Sequence, residues 1–318
     1  MKLVPADGLV LEQILDATSR IWSEGLTRGN YGRWNAAQQR TPWGRQRLQR
    51  FALVDERGDW LATAKRYRYT ARLAGREIQM CGIGAVFTRE DRRGRGYATA
   101  IVEQLLDRER REGVPLAALF SEIGTAFYER LGFTARPLDE VTVNVTVKGG
   151  SPAMLVRAGD DRDLPAIAAM HQVRAASAPF ALMRDVPLIQ FALARKRLRA
   201  GLGPVGRRQV EFFAAEEGAS AVAYVVLSVN EYGWTLEEAG DRDPAAARLG
   251  AMLQVLLARE PSNAAPLIRT WWPRAFPVPP QLTLADRSEP KDMLMMKPLG
   301  DIALPDAADI FYWRGDQF

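Results

Sequence analysis

The sequence predicts a mixed α/β (α+β) fold, in which a mainly antiparallel sheet is flanked by helices, and it predicts this fold twice along the chain. In each half, runs of residues with the alternating or continuous apolar pattern of strands are interrupted by stretches whose apolar residues recur at helical spacing. The chain also has 318 residues, 47% of them hydrophobic, a length nearer two ordinary domains than one.

The elements of the first half follow one another as strands, a helix and strands again. FALVDE and WLATAKRYRYTARL predict two adjacent antiparallel strands, and REIQMCGIGAVFT predicts a central buried strand. After a glycine-rich turn, ATAIVEQLLDRERREG places its apolar residues on one helical face and ends at Gly113. A buried strand, a short helix and an alternating strand are then predicted at 114–121, 124–131 and 140–147.

A breaker cluster, Lys148-Gly149-Gly150-Ser151-Pro152, separates the two halves. We therefore predict a catalytic domain over 1–148, a second domain over 153–300 and an aromatic C-terminal tail over 301–318. The second half begins with a strand and two helices, continues with three strands and a helix, and ends with two strands. This order is close to that of the first half and favours an internal duplication.

Composition excludes several classes of site. The single cysteine, Cys81, rules out an internal disulfide, and with one histidine, His171, it leaves no Cys/His cluster with zinc spacing. No run approaches the ~18 apolar residues that span a bilayer, and the N-terminus lacks the apolar core of a secretory signal. We therefore expect a cytoplasmic protein with no metal site and no membrane partner.

The basic charge balance, +5 with a pI near 9.5, suits an anionic ligand, which is either a nucleic acid or a phosphorylated cofactor. Runs of basic residues occur at 45–50, 89–95, 108–111 and 195–199. Apart from 89–95, their spacings are those of solvated helix faces. Nucleic-acid binding is not favoured, because no RNP, zinc-finger or KH pattern accompanies them.

The step from strand to helix at 88–98 predicts an anion-binding loop. Gly94 and Gly96 let the backbone approach a ligand closely, successive N–H groups can point at it, and the following helix adds its positive end. A Walker loop is excluded because no Gly-Lys-Ser/Thr follows. A dinucleotide fingerprint is excluded because its third glycine and early βαβ unit are absent.

The segment AVFTREDRRGRGYATAIVEQLL resembles motif A of the GNAT (GCN5-related) N-acetyltransferase superfamily, whose pattern is Arg/Gln-x-x-Gly-x-Gly/Ala. Arg93, Gly96 and Ala98 meet this pattern. The resemblance implies a tandem-GNAT chain whose loop N–H groups hold the pyrophosphate of acetyl-coenzyme A, while the preceding strand contacts the pantetheine arm. The implied coenzyme A contacts are Val86, Phe87, Thr88, Arg93, Gly94, Arg95, Gly96, Tyr97 and Ala98.

Downstream, AFYERLGF resembles the motif B segment Phe-Tyr-x-x-x-Gly-Phe of the same superfamily. This implies that Tyr128 lies near the thioester sulfur and protonates the departing thiolate. Taken alone, Tyr128 is also explained as a packed aromatic that supports Leu131 and Phe133. The longer string LFSEIGTAFYERLGF is similar to the fungal lysine N6-acetyltransferases, which implies a lysine-like acceptor.

The attacking amine must lose a proton, so a base or a water chain is expected near it. Glu122 follows the strand at 114–121, where the sheet of the family opens beside the thioester; its other interpretation is an exposed acid at a helix entry. Glu24, on the first predicted helix, is a further acid, although its spacing does not single it out.

The second candidate base lies in the aromatic tail DIFYWRGDQF. In the enhanced-intracellular-survival type of multi-GNAT acetyltransferase, the C-terminal carboxylate serves as the base, so that resemblance implies the carboxylate of Phe318. Two points stand against it. The tail is also explained as a cover for apolar surface of the second domain, and the sequence lacks the length for the third, sterol-carrier-like domain of that type.

The second half carries Arg-Asp-Pro-Ala-Ala-Ala-Arg at 242–248, where a counterpart of the glycine loop would stand. An Asp-Pro start suits a helix N-terminus but not a pyrophosphate cradle, so we expect no coenzyme A there. That half is expected to wall the acceptor pocket. Trp234, Trp271 and Trp272 are predicted as core residues and His171 as a structural histidine.

The predicted function is therefore acetyl-coenzyme A-dependent transfer of an acetyl group to a primary amine of a small molecule, lysine or an amino-acid-like acceptor, by direct attack in a ternary complex. Cys81 offers no covalent relay, since it lies in a strand without a nearby histidine. The alternatives are a protein-lysine or aminoglycoside acceptor and, from another class, a non-catalytic acyl-CoA sensor or nucleic-acid-binding regulator. The acceptor, the base, the acyl chain length and the oligomeric state stay open.

Overall fold

A computed structural model of the chain describes residues 1–146, 154–260 and 265–318. The helices in these residues are α1 (Gly8–Trp22), α2 (Arg28–Arg40), α3 (Pro42–Arg47), α4 (Tyr97–Arg111), α5 (Ala126–Glu129), α6 (Leu164–Ala175), α7 (Val186–Leu202) and α8 (Ala247–Leu257). The strands are β1 (Lys2–Pro5), β2 (Leu48–Val54), β3 (Trp60–Leu73), β4 (Arg76–Thr88), β5 (Leu116–Ser121), β6 (Thr134–Ala135), β7 (Glu140–Val145), β8 (Leu155–Ala158), β9 (Phe180–Leu182), β10 (Arg208–Glu217), β11 (Ser220–Asn230), β12 (Gly233–Asp241), β13 (Ile268–Trp271), β14 (Leu282–Ser288), β15 (Met293–Pro298) and β16 (Ile310–Phe311).

The chain forms two compact units, each built around one sheet. Unit 1 contains Met1–Pro137, Lys291–Pro305 and Phe318, and unit 2 contains Leu138–Pro290 and Asp306–Gln317. Both sheets are mainly antiparallel and are flanked by helices. The predicted mixed fold, present twice, is confirmed.

The sheet of unit 1 has the strand order β1-β2-β3-β4-β5-β15-β6. All of its neighbouring pairs are antiparallel except β4 and β5. One face packs on α4, whose Ile101 and Val102 are fully buried against Cys81 and its neighbours. The opposite face packs on α1, where Ile14 meets Ala52. The sheet is therefore covered on both faces, which explains the continuous apolar runs of its central strands.

The sheet of unit 2 has the order β14-β7-β13-β12-β11-β10-β8, with β12 and β13 as its parallel pair. The residues of a shorter parallel pair, β9 with β16, also belong to unit 2. Trp234 and Trp272 belong to its core and Trp271 is 1% exposed, so all three tryptophans are core residues, as predicted.

Two strands lie in a different unit from their sequence neighbours. β7 pairs with β13 and β14 in unit 2, although the sequence predicts it in the first domain. β15 pairs with β5 and β6 in unit 1, although the sequence predicts it in the second. Alternating apolar residues identify a strand but not its partner, so the contiguous division differs from the observed one. The predicted breaker cluster at 148–152 lies outside the described residues.

Three charged residues differ from expectation. Arg50 does not belong to a solvated helix face, since it lies on β2 and is 3% exposed. Lys196, within the run at 195–199, is buried on α7, where its Nζ is 2.7 Å from Oε2 of Glu237. Glu24 lies beyond the end of α1, in a left-handed turn with φ of 48°. Spacing alone does not reveal that a charged side chain is buried.

His171 is a structural histidine of α6. It is buried, and its Nε2 lies 3.1 Å from the carbonyl oxygen of Leu182. Desolvation, with a smaller contribution from the charge of Arg184, lowers the pKa of His171 to about 3. The neutral ring therefore donates its N–H to that carbonyl across the neutral pH range.

Acid is expected to lower the free energy of unfolding through His171. The unfolded chain binds this proton near pH 6.5 and the folded chain only near pH 3. Between these values the unfolded state holds more protons, so stability falls as the pH falls, by about 2 kcal/mol from pH 7 to pH 5. The free energy of unfolding, measured with denaturant at both pH values, should fall by this amount more in the native chain than in His171→Gln. Equal drops would contradict it.

Candidate active site

β4 changes its pairing on both sides near its C-terminal end. On one side, the register with β3 slips between the pairs Lys65↔Gly84 and Thr63↔Phe87, and Ala85 at this bulge has a left-handed φ of 49°. On the other side, the parallel pairing with β5 ends at Ile83↔Leu119. The two parallel strands part beyond that pair. The gap gives an extended ligand access to the main-chain groups of 84–88.

The loop that follows β4 leads directly into α4. A short 3₁₀ turn at Glu90–Arg92 precedes Gly94 and Gly96, whose φ angles of 76° and 77° are left-handed. Gly96 caps α4 without a side chain, and a Cβ at either glycine would meet open space. The first turn of this 15-residue helix has no acidic residue. The loop thus leaves room for an anion at the positive end of a long helix.

The side chains that flank this loop are basic and largely exposed. Arg93 is 58% exposed, and its guanidinium lies 5.6 Å from the centre of the Phe87 ring. Phe87 itself is buried on the α1 face of the sheet, whereas Val86 packs against the α4 cluster. Of the strand residues expected to contact pantetheine, Phe87 is thus a core residue on one face and Val86 borders the core on the other. Thr88, partly exposed, ends the strand.

Tyr128 lies on the short helix α5 and is 7% exposed. Its ring meets Phe127 and Phe133 edge to face, with centroid distances of 4.9 and 6.0 Å. The same apolar cluster includes Val86 and Tyr97, so it joins Tyr128 to the strand and the loop. Desolvation raises the pKa of Tyr128 to about 12. The phenol therefore stays protonated at neutral pH and can donate its proton.

Cys81 lies on β4 and is fully buried. Desolvation first, and the nearby carboxylate of Glu109 second, raise the pKa of its thiol far above the ordinary value. A buried thiol with a raised pKa is a poor nucleophile. This environment agrees with the expectation that Cys81 forms no covalent intermediate.

Glu122 lies at the surface, in the turn between β5 and α5. The turn is closed by Ser121, whose Oγ donates to the carbonyl oxygen of Gly124 at 2.5 Å. Glu122 thus follows Leu119, the last residue of β5 that pairs with β4, by three residues, and it is exposed.

Phe318 is held within unit 1 on the face of the sheet opposite α4. Its ring packs between Tyr67, Tyr69 and Phe120, with centroid distances of 5.4, 5.1 and 5.2 Å. The ring lies so close to β4 that a methyl group at Gly82 would stand 2.7 Å from its Cε2. A methyl group at Gly84 would stand 3.6 Å from the main-chain oxygen of Phe318. The main-chain carbonyl group of Phe318 therefore lies against β4 next to the bulge.

The corresponding loop of unit 2, between β12 and α8, is filled by its own acids. The buried carboxylate of Asp241 accepts hydrogen bonds from the N–H groups of Asp243 and Leu249, at 2.8 and 2.9 Å. The carboxylate of Asp243 accepts from the N–H of Ala245 at 2.9 Å. N–H groups that are bound to carboxylates are not available to a phosphate, and the negative charges repel one.

A cavity of about 400 Å³ in unit 1 was not predicted from the sequence. It lies between α1, α2 and the strands β2 and β3, and its polar lining includes Glu12, Arg28, Arg33, Asn35, Arg50 and Lys65. One signal could have pointed to it. With period two along their strands, Arg50 shares a face with the buried Ala52, and Lys65 with the buried Thr63.

Residues 1–146, 154–260 and 265–318 contain neither a metal-ligand cluster nor a membrane-spanning helix. Within these ranges, no group of three or more His, Cys, Asp or Glu residues is placed to hold a metal ion. No helix in the same ranges is both long enough and apolar enough to cross a membrane.

Comparison with known proteins gives one family and several similar folds. Residues 13–136 match the family model of the acetyltransferase (GNAT) domain. No curated protein matches the sequence.

Three solved structures resemble the chain over most of its length. A GCN5-related N-acetyltransferase from Anabaena variabilis has a TM-score of 0.67 at 11% identity, over 94% of this chain and 73% of its own. A protein of unknown function from Enterococcus faecalis, described as a "probable N-acyltransferase", has a TM-score of 0.66 at 13% identity, over 94% of this chain and 72% of its own. A GCN5-related N-acetyltransferase from Kribbella flavida has a TM-score of 0.62 at 18% identity, over 93% of this chain and 70% of its own. At these identities the likeness concerns the fold.

Proposed function

We propose that the protein transfers the acetyl group of acetyl-coenzyme A to a primary amine of a small molecule, because residues 13–136 match the family model of the acetyltransferase (GNAT) domain. The observation that carries the proposal is the loop before α4, where Gly94 and Gly96 take left-handed conformations beside open space. This geometry suits a pyrophosphate. The gap between β4 and β5, which begins at Ile83↔Leu119, suits an extended pantetheine arm.

In the proposed mechanism the amine attacks the thioester directly. Acetyl-coenzyme A supplies the acetyl carbon and a thiolate leaving group. As the C–N bond forms and the C–S bond breaks, the nitrogen loses a proton to a base and the sulfur gains one. Tyr128 donates the latter proton, which suits a phenol that is held protonated by burial.

For the base, the positions of the candidates favour the α-carboxylate of Phe318, the last residue of the sequence. It lies against Gly84, where β4 leaves its parallel partner, on the face opposite α4. Glu122 is exposed on the turn after β5. Phe318 is half-buried, with its ring packed against Tyr67, Tyr69 and Phe120. An acid on a half-buried residue interacts more strongly with a cationic amine than an acid at the surface does.

For unit 2, we propose a supporting role without coenzyme A. The acids Asp241 and Asp243 occupy the N–H groups of its loop, and Asp241 is 2% exposed. One prediction follows for stoichiometry. Coenzyme A should bind with one site per chain in a calorimetric titration, and two sites would contradict this role.

The test of the function is thiol release from acetyl-coenzyme A in the presence of a panel of amines. Turnover with a small amine supports the proposal. Turnover only with lysine-containing peptides or with aminoglycosides would move the acceptor class to those compounds. Coenzyme A binding without acetylation of any amine would favour a sensor of acyl-CoA, and failure to bind coenzyme A would remove the proposal altogether.

Gly82→Ala is expected to lower kcat about 10- to 100-fold if the carboxylate of Phe318 is the base. The added methyl group would stand 2.7 and 2.9 Å from two ring atoms of Phe318, so the ring and its carboxylate must move. Displacement of a catalytic group by ~1 Å costs rates of this order. The measurement is steady-state acetylation with the best amine of the panel.

Two variants complete this test. Gly201→Ala, a helical glycine whose Cβ would meet nothing within 4 Å, is the matched control and should keep native kcat. Glu122→Gln should also keep it. A large loss in Glu122→Gln with no loss in Gly82→Ala would assign the base to Glu122 instead.

A further inference from the structure

Arg50 is a buried cation that has no carboxylate partner among the described residues. Its guanidinium contacts Thr63 Oγ1 and Asn35 Oδ1, both at 3.5 Å, and it interacts with the hydroxyl of Tyr31. These groups are neutral, and across the described part of the chain no Asp or Glu forms an ion pair with Arg50. Arginine stays protonated even where burial lowers its pKa, as it does here. A buried, unpaired charge is costly, and a ligand anion would offset that cost.

The cavity beside Arg50 has an excess of positive charge. Lys65, directly opposite Arg50 on β3, is also buried and lies 5.5 Å from the ring of Trp34. Glu12 is the acid that lines the cavity, and it pairs with Arg28 at 2.7 Å. The inner wall therefore presents two cations, of which Arg50 can offer two parallel N–H groups to one anion.

The candidate base lies on the same face of the sheet as Arg50. Arg50 pairs with Lys65 between β2 and β3, and Lys65 pairs with Gly84 between β3 and β4. Directly paired residues point to the same face, and two strand spacings separate Arg50 from Gly84 by ~10 Å. Gly84 is the residue against which the carboxyl group of Phe318 lies. One small molecule can thus reach from Arg50 to the place where the amine would react.

We propose that this cavity holds the carboxylate of the acceptor on Arg50, with Lys65 beside it, so that the acceptor is an amino acid or a similar amino carboxylate. The proposal rests on the proposed function and narrows its substrate class. A volume of about 400 Å³ suits a ligand of this size. Polycationic acceptors such as aminoglycosides would place positive charge against Arg50 and Lys65, which disfavours them.

The test compares acceptors that differ only in the carboxylate. The pairs are lysine with 1,5-diaminopentane, ornithine with 1,4-diaminobutane and phenylalanine with 2-phenylethylamine, each assayed with acetyl-coenzyme A. We expect kcat/KM of at least one amino acid to exceed that of its amine about 10- to 100-fold, as for the loss of one charged hydrogen-bonded pair. Phosphoethanolamine and ethanolamine form a further pair. A preference for the phosphorylated member with none for the carboxylates would overturn the carboxylate assignment.

Arg50→Gln should remove the preference by raising KM for the amino acid, with little change in kcat and in coenzyme A affinity. Arg50→Lys should restore part of it, because the charge remains while the planar fork is lost. Arg40→Gln is the matched control, since Arg40 is an exposed arginine of α2 outside the cavity lining. Equal preference in the native chain and in Arg50→Gln would overturn the proposal.

Calorimetry separates this proposal from the function itself. The same amino acids and amines are titrated into the native chain and Arg50→Gln without acetyl-coenzyme A. Binding of an amino acid that depends on Arg50, without acetylation, would keep the cavity assignment and refute acetyl transfer to these acceptors. Acetylation of amines and amino acids at equal rates would keep the transferase and refute the cavity assignment. The cavity assignment would also be refuted if the amino acids neither bind nor are preferred over their amines.

Discussion

Tyr128→Phe is expected to lower kcat by about 100-fold or more and to leave the affinity for coenzyme A unchanged. A positioned general acid contributes about 10²- to 10⁴-fold, and this variant removes only the donated proton. The ring contacts with Phe127 and Phe133 do not involve the hydroxyl, so the core should persist. Steady-state acetylation gives kcat, calorimetry gives the coenzyme A dissociation constant, and thermal unfolding monitors the fold.

The pH dependence gives a second measure of the same residue. Since burial holds the pKa of Tyr128 near 12, kcat should not decline on the alkaline side below about pH 10 through loss of this proton. Tyr232→Phe, at a tyrosine that is 78% exposed, is the matched control and should match the native chain. An unchanged kcat in Tyr128→Phe would show that Tyr128 is not the general acid and only packs in the core.

Gly96→Ala should weaken coenzyme A binding by about 10- to 100-fold. An alanine at a φ of 77° is strained, and its methyl group would enter the space in front of the N–H groups at the start of α4. Loss of a hydrogen bond to a charged phosphate accounts for an effect of this size. The dissociation constant is measured by calorimetry with coenzyme A itself.

The control must carry the same strain away from the loop. Gly75, in the turn between β3 and β4, has a φ of 79° and also faces open space. Gly75→Ala should therefore lose a similar amount of stability without loss of coenzyme A affinity. Native coenzyme A affinity in both variants would refute the loop as the pyrophosphate site. A similar loss of affinity in both would attribute the effect to general destabilisation.

Local patterns were sufficient to predict most elements of the fold. The apolar stripe that ends at Gly113 corresponds to α4, and REIQMCGIGAVFT corresponds to β4 with identical bounds. Partners of strands were not predictable, because period two is the same whichever sheet a strand joins. This is why β7 and β15 were expected in the units opposite to those they occupy.

The candidate site divides in the same way. The left-handed turns of Gly94 and Gly96 could be predicted because they depend on local chemistry. The positions of Phe318 and Arg50 could not, because each depends on residues distant in sequence: Tyr67 and Phe120 around Phe318, and Asn35 and Thr63 around Arg50. Basic runs were interpreted as solvated because an isolated arginine is usually exposed.

The place of β15 determines when unit 1 can finish folding during synthesis. β15 lies between β5 and β6, yet it follows β6 by about 160 residues in the chain. At ~5–20 residues per second, the ribosome needs roughly 10–30 s to supply it. Over that time the newly made β5 has an open edge, which is prone to pair with other chains. A gene divided after residue 148 would make this interval permanent, so its first product should aggregate or depend on chaperones until a segment containing β15 is added.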